Sequence, residues 1–209
     1  MHATVFLDVL SHWCLAAVPA VQSLYDANVD VELVLAPVRD GAPLGVSPEL
    51  EQWAYTRGAR AYGLTLRADW YETSDTTTWH ANAAVLAGVA LGADFWRLTC
   101  AVMSQALQGG ALFGRPDVAY AFVASLGSVD AAEIKRLAEG HDVVHALHDG
   151  SRRLADVGGD ERPTFRIRNA SNDHVVLKGL WQRDAVDACV RALRADEEAY
   201  AAAGTPPVV

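Results

Sequence analysis

The chain has 209 residues, of which 51% are hydrophobic and 21% charged, and this composition is typical of a globular protein with one large domain or a core with a sizeable insertion. Its net charge of −9 repels phosphates, so a nucleic-acid partner is not expected. Its three cysteines form no CxxC pair and no Cys/His finger spacing, which argues against a disulfide scaffold and a structural zinc. The start of the chain lacks a basic leader, and no apolar run reaches the roughly 20 residues of a membrane span. We therefore expect a cytoplasmic protein without a membrane partner.

A strand, a helix and a second strand are predicted at the start of the chain. Residues 3–10 form a short apolar run rich in β-branched residues, which indicates a buried strand. Apolar residues at helical spacing predict a helix from Cys14 to about Asn28, kinked at Pro19. Residues 29–36 alternate apolar and polar and then become apolar, which predicts a second strand. Because strand–helix–strand units are normally crossovers, the two strands should be parallel.

The middle of the chain is predicted to be helical. Ser47 and Pro48 are typical of a helix start and open a helix that ends near Gly63. Abundant alanine favours further helices, at residues 79–92, 94–108, 116–126, 129–139 and 141–157. Ser128 is placed to cap the fourth of these.

Strand character returns near the C-terminus. Residues 164–169 and 174–179 are predicted strands joined by a short polar loop, which makes them a hairpin. The last helix is expected from Arg183 to about Ala202, and the end of the chain, residues 201–209, should be frayed. The predicted order is therefore βαβ, a helical block, and ββα.

Two stretches of the chain resemble motifs of one known family. The segment DVLSHWC at residues 8–14 resembles the D-x-x-C-P-W-C of FrnE-type oxidoreductases of the DsbA family. It equally resembles the D-x-x-S-P-Y of 2-hydroxychromene-2-carboxylate isomerases and kappa-class glutathione transferases. Residues 162–165 resemble the family's x-P-T-F cis-proline loop, and TTWHANAAVLAG at residues 77–88 is a weaker match to its N-T-x-x-A-H-R-L helix start.

These motifs and the element order imply an α/β protein with a DsbA-like thioredoxin fold. The βαβ and ββα halves would be separated by a large all-helical insertion. On this interpretation residues 1–46 and 158–209 form the thioredoxin-like core, and residues 47–157 form the helical insertion domain. The Arg162–Pro163 peptide bond is expected to be cis.

The tetrapeptide SHWC places an oxygen where the oxidoreductases carry their attacking sulfur. Without that sulfur, ordinary dithiol exchange through a mixed disulfide is lost. The resemblance instead implies that Ser11 is catalytic, donating a hydrogen bond that stabilises the thiolate of bound glutathione, the candidate cofactor. His12 could shuttle protons near neutral pH, and Trp13 could stack on an aromatic substrate. Cys14, at the second position of the motif, should be buried.

The resemblance also implies where a small-molecule or thiol-peptide substrate would bind. Pro163 should lie near the SHWC segment, with Arg162 reaching an acidic group of the substrate and Thr164 following in the same loop. Thr77 stands where the family's helix start usually has asparagine. Gln182 stands where the isomerases and transferases carry an aspartate that helps to hold glutathione.

Other functions stay open at this point. Cys14 alone could make the chain a single-cysteine thiol–disulfide oxidoreductase, or the Pro163 loop could serve a non-enzymatic binding protein. Ser11 could simply cap its helix. Cys100 and Cys189 are expected in the core. The sequence also leaves a homodimer open.

Three histidines near the end of the helical block form a candidate metal site. His141, His145 and His148 share one helix face, and histidines four residues apart can share a metal. The segment has no HExxH motif, so a surface or pocket-lining stripe is favoured and no metal is expected.

Overall fold

A computed structural model describes residues 1–204 of the chain. Four strands and nine α-helices follow one another along these residues. In chain order they are β1 His2–Leu7, α1 His12–Ala16, α2 Val18–Asp26, β2 Asp30–Leu35, α3 Pro48–Tyr62, α4 Trp79–Ala90, α5 Phe95–Leu107, α6 Pro116–Gly127, α7 Ala131–Ala138, α8 His141–Asp156, β3 Thr164–Arg168, β4 His174–Lys178 and α9 Arg183–Ala203. A short 3-10 turn, Val38–Gly41, follows β2 and was not predicted.

The strands form one mixed sheet in the order β2-β1-β3-β4. The pair β1–β2 is parallel, whereas β1–β3 and β3–β4 are antiparallel. This confirms the predicted crossover, the hairpin and the α/β thioredoxin arrangement with helices between its two halves. The division into core and insertion domains stays a prediction, since one apolar core contains side chains from β1, β3, α4 and α9.

The segment after β1 differs from the expected long strand and single helix. The strand ends at Leu7 because the backbone N–H of Ser11 donates to the carbonyl of Asp8, which closes a turn. The helix then begins two residues earlier than expected and is broken at Ala17 into α1 and α2. Pro19 explains the break, because a proline has no N–H to donate to the carbonyl four residues earlier.

Two helix caps were predicted for the helical block, and the structure confirms one of them. Ser47 caps α3 as expected, because its hydroxyl accepts from the N–H of Leu50. The cap predicted for Ser128 is wrong. Asp130 caps α7, and Ser128 instead ends α6 in the left-handed conformation with φ 53°.

Two further findings concern membrane-spanning helices and the C-terminal end of the chain. In the part of the chain that the structure describes, no helix is both long and apolar enough to cross a membrane. The helix α9 extends to Ala203, so part of the segment expected to fray is helical. Residues 205–209 lie outside the described residues.

Candidate active site

The loop after β1 is anchored by a buried carboxylate. Asp8 is 0% exposed. One carboxylate oxygen accepts from the N–H of Leu10 at 2.8 Å and the amide of Asn82 at 3.1 Å. The other accepts from the N–H of Val38 at 2.7 Å and the hydroxyl of Thr78 at 2.5 Å. Burial raises the pKa of this carboxyl, and these hydrogen bonds oppose that shift. The carboxylate therefore holds three chain segments at one point beside the SHWC turn.

Ser11 occupies the N-cap position of α1 without acting as a cap. Its backbone is extended, with φ −87° and ψ 118°, but its side chain makes no hydrogen bond to the helix backbone. A purely capping role would require that bond. The helix has only five residues, so its dipole is small. The hydroxyl is consequently left at the wall of two adjoining cavities.

Cys14 lies on the inner side of the same turn, as predicted. It is 1% exposed, and its sulfur accepts from the N–H of Asp8 at 3.4 Å. Burial, with a smaller contribution from the negative charge of Asp8, raises the pKa of the thiol to about 12. Hydrogen bonds and the charge of Arg162 oppose this shift, and one of those hydrogen bonds comes from the side chain of Ser11. The thiol is therefore protonated at neutral pH, although the Ser11 side chain lies next to it.

His12 is packed into a cluster of aromatic rings. It is 8% exposed, with ring centroids 4.7 Å from Tyr55 and 5.8 Å from Tyr62. Burial, and then the charge of Arg57, lowers the pKa of His12 to about 4. At neutral pH the imidazole is uncharged, so the expected proton shuttle near neutrality is not carried forward. Trp13 lies beside this cluster, 5.2 Å from the ring of Tyr62, and it lines both cavities.

The cis-proline loop faces the SHWC turn. The Arg162–Pro163 peptide bond is cis, in agreement with the sequence-based expectation. Arg162 and Gly179 line a cavity of about 510 Å³ together with Ser11, Trp13 and the acidic residues Asp160 and Glu161. The cis-proline loop, through Arg162, and the loop after β4, through Gly179, therefore line the same cavity as the SHWC motif.

Arg162 is held by the backbone rather than extended into solvent. Its guanidinium donates to the carbonyls of Ala36 at 2.6 Å, Asp160 at 2.8 Å and Pro37 at 2.9 Å. Burial lowers the pKa of Arg162, but an arginine keeps its charge at any physiological pH. The cavity thus has a fixed positive charge beside Ser11.

Four of the six predicted substrate-binding residues do not line the Ser11 cavities. Pro163 is buried, and its carbonyl accepts from the N–H of Gly179 at 2.9 Å. Thr77 accepts from the N–H of Trp79, and the neighbouring Thr78 lines the second cavity instead. Thr164 is fully buried, and its hydroxyl donates to the carbonyl of Glu161. Gln182 is exposed at the start of α9, where it makes no cap hydrogen bond. The motif alignment placed these positions in the right elements, but it could not tell which way each side chain points.

The sequence did not single out three residues that organise the site. Asp8 and Asn82 lie within the two motif segments, and Thr78 directly follows Thr77, which the sequence analysis predicted. The sequence did contain a signal for them, because each is a polar residue within a largely apolar segment. Each of these polar residues is buried and engages another, as buried polar groups must.

The histidine stripe on α8 lines neither of the two Ser11 cavities. His148 pairs with Asp40 at 2.9 Å, and the rings of His141 and His145 stack with centroids 5.9 Å apart. Within residues 1–204, no group of three or more acidic, histidine or cysteine side chains is arranged to hold a metal ion. Cys100 and Cys189 were expected in the core, and both are only partly buried.

Comparison with known proteins gives a clear answer for the fold. No protein-family model matches the chain, and no curated protein matches its sequence. Solved structures do match. The cytosolic disulfide reductase DsbM from Pseudomonas aeruginosa is 20% identical, with a TM-score of 0.72 over 92% of this chain and 98% of that one. The chain has the DsbA-like thioredoxin fold.

Two further structures support this fold. A 2-hydroxychromene-2-carboxylate isomerase is 12% identical, with a TM-score of 0.64 over 98% of this chain and 100% of its own. A Streptomyces coelicolor protein described as a probable DsbA oxidoreductase is 16% identical, with a TM-score of 0.66 over 100% of this chain and 93% of its own. DsbM has also been solved with glutathione. These neighbours include both redox enzymes and an isomerase, so the reaction has to be inferred from the site of this chain.

Proposed function

We propose that this chain is a thiol-linked enzyme of the glutathione-dependent isomerase or transferase kind. In this role the Ser11 hydroxyl donates a hydrogen bond to the thiolate of bound glutathione. The observation that carries the proposal is that Ser11 is at the N-cap but does not cap, and lines the cavity, while Cys14 is sealed beneath it.

Ser11 and Arg162 are the two groups of this cavity that favour an anionic sulfur, whereas Asp160 and Glu161 also line it. A hydrogen bond to the charged form of a thiol and a nearby positive charge both lower its pKa. Arg162 supplies that charge, and its effect reaches as far as Cys14 on the inner side of the turn. Because backbone carbonyls hold the guanidinium in place, little ordering is required when a thiolate arrives.

The two alternative functions have less support. A single-cysteine oxidoreductase needs an accessible thiolate, whereas Cys14 is buried and its pKa is raised to about 12. A non-enzymatic binding protein would need the Pro163 loop but would not need the Ser11 hydroxyl at the cavity wall. The glutathione complex of DsbM favours glutathione as the thiol, and its description as cytosolic agrees with the cytoplasmic setting that we expect.

Calorimetry with glutathione tests the proposal directly. We expect the wild-type protein to bind glutathione, and ultraviolet thiolate absorbance should show a lowered pKa for the bound thiol. Since a hydrogen bond to a charged group is worth roughly 1.5–3 kcal/mol, Ser11→Ala should raise that pKa by about one to two units. Ser125→Ala is the control, because Ser125 is exposed and bonds only to the carbonyl of Phe122.

Two results would contradict the proposal. Absence of glutathione binding would leave the non-enzymatic binding protein as the better function. An unchanged thiol pKa in Ser11→Ala, with binding retained, would remove the role of Ser11.

A further inference from the structure

A small cavity lies against the sheet near the start of β1, whereas the SHWC turn follows the end of that strand. Its volume is about 170 Å³, and it shares no lining residue with the two Ser11 cavities. Half of the residues that line it are arginines, and the full set is His2, Thr4, Glu32, Arg153, Arg166 and Arg168. Because the chain carries a net charge of −9, a cavity with three guanidinium groups and one carboxylate differs in sign from the protein as a whole.

The strand register brings the side chains of this cavity together. Thr4 on β1 is paired with Glu32 on β2 and with Arg166 on β3, and His2 is paired with Arg168. Residues that are directly paired point to the same face of a sheet, as do residues two apart in one strand. The side chains that the strands contribute to the cavity therefore share one face of the sheet.

Helix α8 contributes Arg153 to the cavity, and this arginine is paired. Its guanidinium donates to the carboxylate of Glu32 at 2.6 Å, and the hydroxyl of Thr4 donates to the same carboxylate oxygen at 3.1 Å. The hydrogen bond from Arg153 lowers the pKa of Glu32, so both groups are charged at neutral pH. The carboxylate that lines the cavity is therefore already engaged by one of the three arginines.

The other two arginines have no counter-ion. Of the arginines in this cavity, Arg153 alone makes an ion pair among residues 1–204, and the side chains of Arg166 and Arg168 make neither an ion pair nor a hydrogen bond there. Arg166 and Arg168 are two apart on β3, so their Cα atoms lie roughly 7 Å from each other and their charges repel. Asp30, paired with His2 on the neighbouring strand, is engaged by the His2 imidazole at 2.9 Å. Two positive charges of the cavity are therefore uncompensated.

We propose that this cavity is a binding site for a doubly charged phosphate group, held by Arg166 and Arg168. A guanidinium offers two parallel N–H donors to a phosphate, and such charge-assisted hydrogen bonds are about twice as strong as neutral ones. Two uncompensated guanidinium groups match a divalent anion, whereas a carboxylate would neutralise only one of them. At about 30 Å³ for each water molecule, the cavity has room for about five or six, and therefore for the tetrahedral phosphate group. The site is independent of the proposed role of Ser11.

Calorimetry with inorganic phosphate tests the site, at about pH 8, where phosphate is doubly charged, and at low ionic strength, where charges are least screened. We expect one phosphate to bind per chain, and acetate, with a single charge, to bind at least about tenfold more weakly. Loss of a charge-assisted hydrogen bond corresponds to roughly tenfold to a hundredfold in affinity, so Arg166→Gln should weaken phosphate binding by that factor. Arg191→Gln is the matched control, because it removes the same charge from an exposed position on α9 that lines none of the three cavities.

A second variant should change the affinity in the opposite direction. Glu32→Gln keeps an oxygen that accepts from Arg153 and Thr4, but it removes the negative charge from the cavity wall. Removing one charge near a divalent anion should tighten phosphate binding by about threefold to tenfold. A variant that had lost its fold would bind less phosphate, so a gain in affinity cannot come from structural damage.

Glycerol phosphate distinguishes the two sources of a phosphate group. Arg168 is exposed, so the cavity is open to solvent on that side and the organic part of a phosphomonoester can extend outward. Tighter binding of glycerol phosphate than of inorganic phosphate would identify a phosphomonoester as the ligand, and weaker binding would identify free phosphate. Equal affinities would show that the site recognises the phosphate group alone.

Four results would overturn the site. They are the absence of phosphate binding, equal affinities for phosphate and acetate, an equal loss of affinity in Arg166→Gln and Arg191→Gln, and an unchanged or weaker affinity in Glu32→Gln. Thermal melting of Arg166→Gln without phosphate shows whether that variant is folded. If it is not, the expected gain in Glu32→Gln decides the outcome by itself.

Discussion

The two sides of the turn after β1 have opposite surroundings. On the outer side the Ser11 hydroxyl faces two cavities and is not used as a cap. On the inner side Cys14 and Asp8 are buried, and the Asp8 carboxylate accepts four hydrogen bonds. The comparison shows that a buried, fully hydrogen-bonded network on one side of the turn fixes the position of the hydroxyl that faces the cavities on the other side.

Restoring a sulfur on the outer side should produce the largest change. Ser11→Cys recreates CHWC, and residues three apart in a helical turn lie close enough for a disulfide. Ser11 and Cys14 belong to the same helical turn, in which the N–H of Cys14 donates to the carbonyl of Ser11 at 3.0 Å. We expect this variant to gain dithiol–disulfide exchange that the natural protein lacks, measured by insulin reduction and by thiol counting after mild oxidation.

The control for this variant is Ser125→Cys, which adds an exposed sulfur far from the motif and should gain no exchange activity. If the sulfurs of Ser11→Cys never pair under oxidation, the outer position is not where the structure puts it. Efficient exchange by the natural protein would show that Cys14 alone suffices.

The buried imidazole of His12 should make the stability of the protein depend on pH. Its pKa is lowered from 6.5 to about 4, so the unfolded chain binds a proton between these values and the folded protein does not. The free energy of unfolding therefore falls by roughly 3 kcal/mol as the pH drops through this window. Denaturant unfolding at several pH values should show that His12→Phe loses this part of the dependence.

His141→Phe serves as the control, because the His141 side chain is fully accessible at 89%. If the difference in free energy of unfolding between wild type and His12→Phe does not vary with pH, the imidazole has the same pKa in the folded and unfolded states, and burial does not lower it.

Weakening the Asp8 network should have the smallest of these effects. An asparagine at position 8 must turn its NH2 toward one of the two oxygen sites. One site faces the N–H of Leu10 and the amide of Asn82, and the other faces the hydroxyl of Thr78 and the N–H of Val38, which also donates to Thr78. At least one hydrogen bond to the carboxylate is then lost, which costs about 2 kcal/mol. Urea unfolding of Asp8→Asn should show this loss, whereas Asp196→Asn on the exposed face of α9 should be neutral. Equal stability of Asp8→Asn and wild type would mean that the network does not hold the turn.

Local patterns were sufficient to predict most of the fold. Alternating and β-branched segments predicted all four strands, since side-chain period and residue type act within one element. Helix limits at Ser47 and Pro48 were correct because capping is a local hydrogen bond. The prediction failed at Ser128, where a competing cap at Asp130 two residues later was the better acceptor.

The sequence by itself determined the cis-proline loop and the burial of Cys14, because each belongs to a contiguous motif, and it determined the DsbA-like thioredoxin fold through those motifs and the order of the elements. Only the tertiary structure decided which side chains meet. It brought Thr78 rather than Thr77 to Asp8, turned Thr164 and Gln182 away from the cavities, and fixed Arg162 on backbone carbonyls of a distant strand end. Burial and side-chain direction depend on packing between elements that are far apart in the chain, and no local pattern records that packing.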